Sequence, residues 1–344
     1  MLRKKKKINT IKTIIWFFFR VIKVAIGSFY DFWRVVFYGA LYEDNSNEIV
    51  RGYAVARTYH TLEKSLSFGP RLSESSLTKV NTLLDYIDTA VESGSLKFFD
   101  VASLNVLSQF LYSSSIPESI EVGVLRERLH DSRTIIDAQL SRSEYFDSDD
   151  KHGACDFEEL EVLLREDQHP EIFFQTRRSV RFYRPQIVGR ALYERAVRMA
   201  MQSPSASNRQ PWAMYHTSDP KVRDIVMSFQ SGNSGFGGQV PNLAIVTVDL
   251  RAYMSGEERS AHFVDGALFA SSFIYALHAL GIGSCCLNWS RMPKQDKALR
   301  KEVNIRPHHA IIMLVAFGYP LETGKVCCSV RRPLDDILFE LNSV

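Results

Sequence analysis

The sequence predicts a two-part protein, in which an all-helical N-terminal region precedes a C-terminal domain of mixed helix and strand. Three observations carry this. Apolar residues recur at helical spacing through 47–140, a polar and acidic stretch follows at 141–170, and from about residue 171 helices alternate with short apolar strands. The 344 residues suit two domains, and 45% hydrophobic with 24% charged residues excludes a mainly disordered chain.

The N-terminal segment comes first. Residues 1–41 hold nine Lys or Arg against one acid, Asp31, a charge of +8 that leaves −5 for the rest of a chain whose total is +3. A nucleic-acid binder spreads positive charge over a folded surface, so a basic end on an acidic body points instead to an anionic membrane and to no nucleic acid. Ile11 to Leu41 is rich in Ile, Val, Phe, Trp and Tyr, but Lys12, Arg20, Lys23, Asp31 and Arg34 interrupt it. No charge-free run nears the ~20 residues that span hydrocarbon. No clean apolar core with a small-residue cleavage site marks a signal peptide either. At ~100° per residue the five charges fall within a sector of about 100°, so residues 1–42 form one basic amphipathic helix. Its apolar face, with Trp16, Phe17, Phe18, Phe29 and Trp33, suits a membrane interface, where the Arg3 to Lys7 run adds attraction to anionic lipid. Burial of that face on the protein's own body or on a partner subunit is the alternative. The five cysteines are Cys155 and the vicinal pairs Cys285-Cys286 and Cys327-Cys328, an odd number without CxxC spacing. A reducing cytoplasm is the expectation, with the protein peripheral on the inner face of the membrane.

The helical middle, 47–140, reads as helices at Ile49 to Lys64, Leu77 to Val91, Val101 to Leu111 and Ile120 to Ser141, separated by Gly, Pro and Ser-rich turns. His60 and Glu63 share a helix face. Without a second ligand pair at matching spacing they read as an ion pair or a capped histidine, not as half a metal site. Ser141 to Phe157 is the linker, and a short helix, Phe157 to Glu166, leads out of it.

The C-terminal domain, 171–344, reads as helices at 188–203, 219–230, 258–280 and 293–302 with strands at 212–216, 242–249, 283–287 and 309–317, an α+β or α/β order. Glycine fingerprints for phosphate are missing: Gly281-Ile282-Gly283-Ser284-Cys285-Cys286 has cysteine where a third glycine belongs, and no Walker loop occurs. Arg177-Arg178-Ser179-Val180-Arg181 offers another grip, three guanidinium groups and a hydroxyl within five residues. Ser203-Pro204-Ser205-Ala206-Ser207-Asn208-Arg209-Gln210-Pro211-Trp212 is a proline-fixed loop that offers hydroxyls and amides to a polar ligand. The vicinal cysteines read as buried small hydrophobes, and His308-His309 as a loop pair before a strand. No metal is expected.

Taken together, Arg-Arg-Ser-x-Arg, a helix, and Pro-Ser-x-x-Asn-x-Gln-Pro-Trp resemble the N-terminal signature of the nitroreductase family. Val240 to Val246 is similar to the family's central strand, Asp265-Gly266-Ala267 through Gly283 to its long dimer-forming helix and glycine turn, and Gly318-Tyr319-Pro320 with Arg331-Arg332-Pro333-Leu334 to its C-terminal end. The resemblance covers roughly 174–341. It implies an α+β fold, a central and mostly antiparallel sheet flanked by helices, in an intertwined homodimer with FMN in pockets built from both subunits. By the same resemblance Arg177, Arg178 and Ser179 hold the FMN phosphate and ribityl chain, and Arg181 lies toward the pyrimidine of the ring. Pro204, Ser205 and Ser207 line the flavin from the partner subunit, while Leu287, Asn288 and Trp289 reach the ring near N5. Arg331 and Arg332 return to the phosphate, and Asn233 or Gln239 supplies an amide to the ring edge.

The function so implied is hydride transfer from NADH or NADPH through flavin N5 to a small quinone, nitro or enone-like acceptor. No side chain acts as nucleophile or base. Arg181 is the electrostatic stabiliser, because reduced flavin carries negative charge at N1–C2=O and a fixed cation there favours it. The segment Cys285 to Trp289 lacks the acid-glycine pair common among reducers of nitro compounds, so the resemblance does not set the acceptor. Other flavin chemistry, and a dimeric scaffold that recruits partners at the membrane, remain the alternative readings.

Overall fold

A computed structural model of the chain describes residues 2–39, 47–67, 72–139, 170–254, 258, 260–322, 326, 334 and 337–343. The expected linker up to residue 169 with its helix at 157–166, Cys155, Cys327, Cys328, Arg331 and Arg332 lie outside the described residues.

Helix α1 (Leu2–Tyr38) is continuous, and at 1.5 Å per residue it is about 55 Å long. Among the described residues no helix is long and apolar enough to cross a membrane. Its faces are turned the opposite way from those of a soluble amphipathic helix. Tyr30 Oη donates to Asp296 Oδ2 at 2.7 Å, and Arg34 Nη2 donates to the carbonyls of Pro307 and His309 at 2.9 and 2.7 Å. Lys23 and Asp31 line a cavity of about 420 Å³ beneath the helix. Tyr30 and Arg34 therefore meet the body, while Trp16, Phe17, Phe18, Phe29 and Phe37 stay 55–74% exposed.

Four helices follow: α2 (Glu48–Ser67), α3 (Glu74–Glu92), α4 (Phe98–Leu111) and α5 (Ile120–Gln139). Val80, Leu83, Leu84 and Ile87 of α3 recur at helical spacing and close on Leu104, Leu107 and Phe110 of α4 in one apolar core. A Ser73 and Ser76 capping box starts α3. The buried pair Arg51–Asp100, 3.3 Å apart, ties α2 to α4. His60 Nδ1 lies 2.9 Å from Glu63 Oε2, the intrahelical pair that their spacing predicts.

The C-terminal part runs α6 (Pro170–Thr176), α7 (Arg190–Ala200), β1 (Trp212–Thr217), α8 (Pro220–Ser228), β2 (Asn242–Asp249), α9 (Ala261–Ala279), β3 (Gly283–Asn288), α10 (Pro293–Glu302) and β4 (His309–Gly318). The strands form one sheet in the order β1-β2-β4-β3, with every neighbouring pair antiparallel. The fold is thus α+β, and the α/β option is set aside. Period-two alternation sends Ala244, Val246 and Val248 toward α7 and α9, and Leu243 and Ile245 toward α8 and α10. Helices cover both faces, so all eight residues of β2 are buried. Gly266 lets α9 lie directly on the sheet, since a Cβ there would stand 2.5 Å from Ile312 Cγ1 and 2.8 Å from Val248 Cγ2.

The helical region meets the sheet through α2. Tyr53 Oη lies 3.4 Å from Asp249 Oδ2, and Val50 and Ala54 pack with Met254. Asp249, His308 and His309 gather close by, with Asp249 held by a fork from Arg251. Burial above all lowers the pKa of His308, with Asp249 opposing and Arg251, Arg306 and Arg34 adding.

His309 opens β4, with Nδ1 2.9 Å from Tyr215 Oη and 3.4 Å from Thr247 Oγ1. Burial above all, with His308, Arg306 and Arg251 adding and Asp249 opposing, brings its pKa from 6.5 down to about 4. The folded protein keeps this ring neutral where the unfolded chain would protonate it. Stability is therefore full above pH 6.5 and falls as the pH drops from 6.5 to 4, by roughly 3 kcal/mol at most. Urea unfolding of His309→Gln across this window should show a flatter dependence on pH than wild type; an equally steep one would contradict the assignment.

Candidate flavin site

The segment after α6 is extended and pairs with the outer edge of β3: Val180 N–H donates to Ser284 O at 2.9 Å, and Ser179 bridges Ser284 in parallel. Gly283 makes this approach possible, because a Cβ there would lie 2.8 Å from Val180 Cβ and 3.0 Å from Pro320 Cγ. Arg177, Arg178, Ser179 and Arg181 are all half-buried along this edge. Arg178 Nη1 donates to the carbonyls of Gln175 and Arg177. Among the described residues neither Arg177 nor Arg178 has a carboxylate partner, so their charge is available to an anion.

Arg181 and β3 wall a cavity of about 210 Å³, closed by Gln230–Gly232 and by Ser290 and Arg291. Along β3 Cys285 and Leu287 turn into the apolar core, while Cys286 and Asn288 turn outward. Burial raises the pKa of Cys285, and burial with Cys285 beside it pushes Cys286 up to about 11, against the pull of Arg177. Both thiols are protonated at neutral pH. Neither is a nucleophile there.

Trp289 is not at this cavity. Its indole Nε1 donates to Asp296 Oδ1 at 3.0 Å, which draws the ring to the far side of the β3 end, among the lining of the cavity under α1. Asn233 spends its amide on Met227 O and Gln230 O within its own loop, and Gln239 is exposed at the surface. The amide at the cavity is Gln230, whose Nε2 donates to Asn288 O at 3.1 Å. Gln230 and Arg291 were not singled out from the sequence. The signal for Gln230 was its place between α8 and the Gly-rich loop 232–238, where a helix end can aim a side chain back at the sheet.

The other predicted half, the loop from Pro204 to Asn208, lies elsewhere. It packs against the start of α9, where Ala206 N–H donates to Asp265 Oδ1 at 3.1 Å, and against α2. None of its residues lines the Arg181 cavity. Its backbone is strained, with φ of 50°, 50° and 49° at Ser207, Asn208 and Gln210, a left-handed conformation that non-glycine residues rarely adopt outside functional loops. The two predicted halves of the site are thus apart within one chain.

Residues 174–228 match the family model described as the nitroreductase family. A relative in Archaeoglobus fulgidus, whose name carries both NADH dehydrogenase and NAD(P)H nitroreductase, is 29% identical over 146 residues, 42% of this chain and 82% of its own. An iodotyrosine deiodinase of Haliscomenobacter hydrossis is 26% identical over 203 residues, 51% of this chain and 89% of its own. Among solved structures, an FMN-dependent nitroreductase of Clostridium difficile is 20% identical with a TM-score of 0.41, covering 50% of this chain and all but 2% of that one (98%). The matched residues contain both the arginine strip and the strained loop, and through them the C-terminal half of this chain is similar to the nitroreductase family.

Proposed function

We propose that the protein is an FMN-dependent oxidoreductase that passes hydride from NADH or NADPH to a small organic acceptor, acts as a homodimer, and lies on an anionic membrane surface. The arginine strip on the β3 edge carries this reading. It offers the half-buried cationic grip that a flavin phosphate requires, with Arg181 and the outward face of β3 beside it. The chain's residues fit the cofactor: Arg177, Arg178 and Ser179 would hold the phosphate and ribityl end, and Arg181 with Gln230 the pyrimidine edge. When bound, FMN supplies two-electron transfer at N5. The protein's part is to position, to keep water out, and to set a positive field beside the ring.

The dimer is supported by incompleteness. A cavity of about 210 Å³ falls short of the roughly 300–1,000 Å³ of a full ligand pocket, and the strained loop stands ready on another surface. Exposed Phe263, Val264 and Leu268 of α9 supply an apolar face for a second copy.

Membrane association is supported by the orientation of α1. A helix that bonds the protein through Tyr30 and Arg34 and leaves a row of aromatic side chains outside suits a non-aqueous neighbour. A second reading of the chemistry, favoured by the match to iodotyrosine deiodinase, is reductive dehalogenation: two electrons and a proton replace a carbon–halogen bond by C–H, and halide leaves.

Anaerobic absorption spectra of the FMN-loaded protein before and after NADH or NADPH test the flavin reading. Bleaching is expected, and Arg181→Gln should slow it by about tenfold or more; failure to bind supplied FMN would overturn the proposal. Release of iodide from an iodinated phenol by the dithionite-reduced protein would favour the second reading. For the membrane, the full chain should cosediment with phosphatidylglycerol vesicles, and Trp16→Ser/Phe17→Ser/Phe18→Ser should weaken this by about tenfold or more. Equal sedimentation of both proteins would contradict it.

A further inference from the structure

The loop from Pro204 to Gln210 has three left-handed non-glycine residues within four positions. Such a backbone persists only where its surroundings over-determine it. Here the determinant is Arg209, the one residue of the four with an ordinary φ, of −71°. Its side chain is fully buried at 0% exposure, with Nε donating to Ala206 O at 2.8 Å and Nη1 to Ala252 O at 2.5 Å. Nη1 and Nη2 also pair with Glu258 at 3.2 and 2.5 Å, and the guanidinium lies 5.4 Å from the Tyr253 ring centre. Burying an arginine is costly, and these bonds offset that cost at Arg209.

The segment that receives Arg209 is itself held from behind. Tyr253 Oη donates to Asp265 Oδ2 at 2.8 Å, while Asp265 Oδ1 accepts from Ala206 N–H in the loop. Met254 packs on Val50 and Ala54 of α2, and Tyr53 of the same helix reaches Asp249. A continuous set of contacts runs from α2 to 249–254, from there to Arg209, and from Arg209 to the loop.

We propose that Arg209 is a positioning residue for the flavin-lining loop, and that the helical region takes part in the flavin site by bracing the segment to which Arg209 is anchored. Arg209 touches no ligand. It acts by holding Ser205 and Ser207 in the conformation presented to the flavin of a second copy. The proposal rests on the FMN reading above for its functional sense, while its structural content stands apart from it.

The test uses the full chain and two readouts: FMN affinity from quenching of flavin fluorescence, and amide hydrogen exchange of 205–210 in the flavin-free protein. Arg209→Met should raise the FMN Kd by about tenfold or more. It should also speed exchange of the loop amides while β2 and β4 stay protected. Arg209→Lys, which keeps a cation and part of the bonding, should recover part of both losses. Wild-type Kd and wild-type loop exchange in Arg209→Met, with the sheet protected, would overturn the proposal. Should Arg209→Met lose sheet protection, Glu258→Gln decides. It leaves the bonds to Ala206 and Ala252 in place and should raise Kd by about threefold; an unchanged Kd would overturn the proposal. If the wild-type chain binds no FMN, the functional reading fails and loop exchange alone decides: faster exchange in Arg209→Met sustains the positioning role, and no change removes it.

Discussion

The pairing of Val180 N–H with Ser284 O, at 2.9 Å, lays the chain from Arg177 to Arg181 along the free edge of β3. An edge strand offers unpaired backbone donors and acceptors, and here they are satisfied by a segment that carries three arginines. Gly283 clears the space for it, and the antiparallel pairing of β3 with β4 fixes which residues of β3 face outward. The cationic strip, the protonated Cys286 thiol and the amides of Gln230 and Asn288 are neighbours because of this one contact. The strained loop of the same chain lies apart from it, against α9 and α2.

A second constraint is the direction in which α1 faces. Tyr30 and Arg34 are committed to Asp296 and to the carbonyls of Pro307 and His309. Asp296 is in turn bonded by Trp289 and Arg300, and these bonds together hold its carboxyl below the usual range despite burial. The helix is thus anchored by its polar residues, and its aromatic face is left outward as a consequence. The arrangement leaves a large apolar surface in water. It also gives the cavity under α1 its polar character, with Lys23 and Arg291 among its lining residues.

Much of this was legible in the sequence. Each strand of the C-terminal part is short, apolar and bounded by Gly or Pro, and all four fall within one residue of their expected ends. Helix ends move by up to three residues: α7 starts at Arg190 because Gly189 is extended as its N-cap. The arginine strip was visible as a local cluster, because its spacing is its meaning. Antiparallel pairing, which an element list does not fix, came from the family resemblance, and the sheet bears it out. Two things were not visible. Trp289 followed Asp296, a partner seven residues on whose position depends on how α10 packs. Arg209 stood within a motif as a variable residue, and its burial arises only from the fold of Ala252 and Glu258 around it. Side-chain direction at the end of a strand, and burial of a charge, are tertiary facts.

The central claim is that the flavin site is shared between two copies, the strip from one and the loop from the other. The most direct measurement pairs a chain carrying Arg177→Gln/Arg181→Gln with a chain carrying Ser205→Trp, isolated as a heterodimer through two different tags, and counts bound FMN. Each variant alone should bind none, whereas the heterodimer regains one intact site and should hold one FMN per two chains. A heterodimer that binds no FMN would mean that both halves must come from the same chain, and would contradict the account.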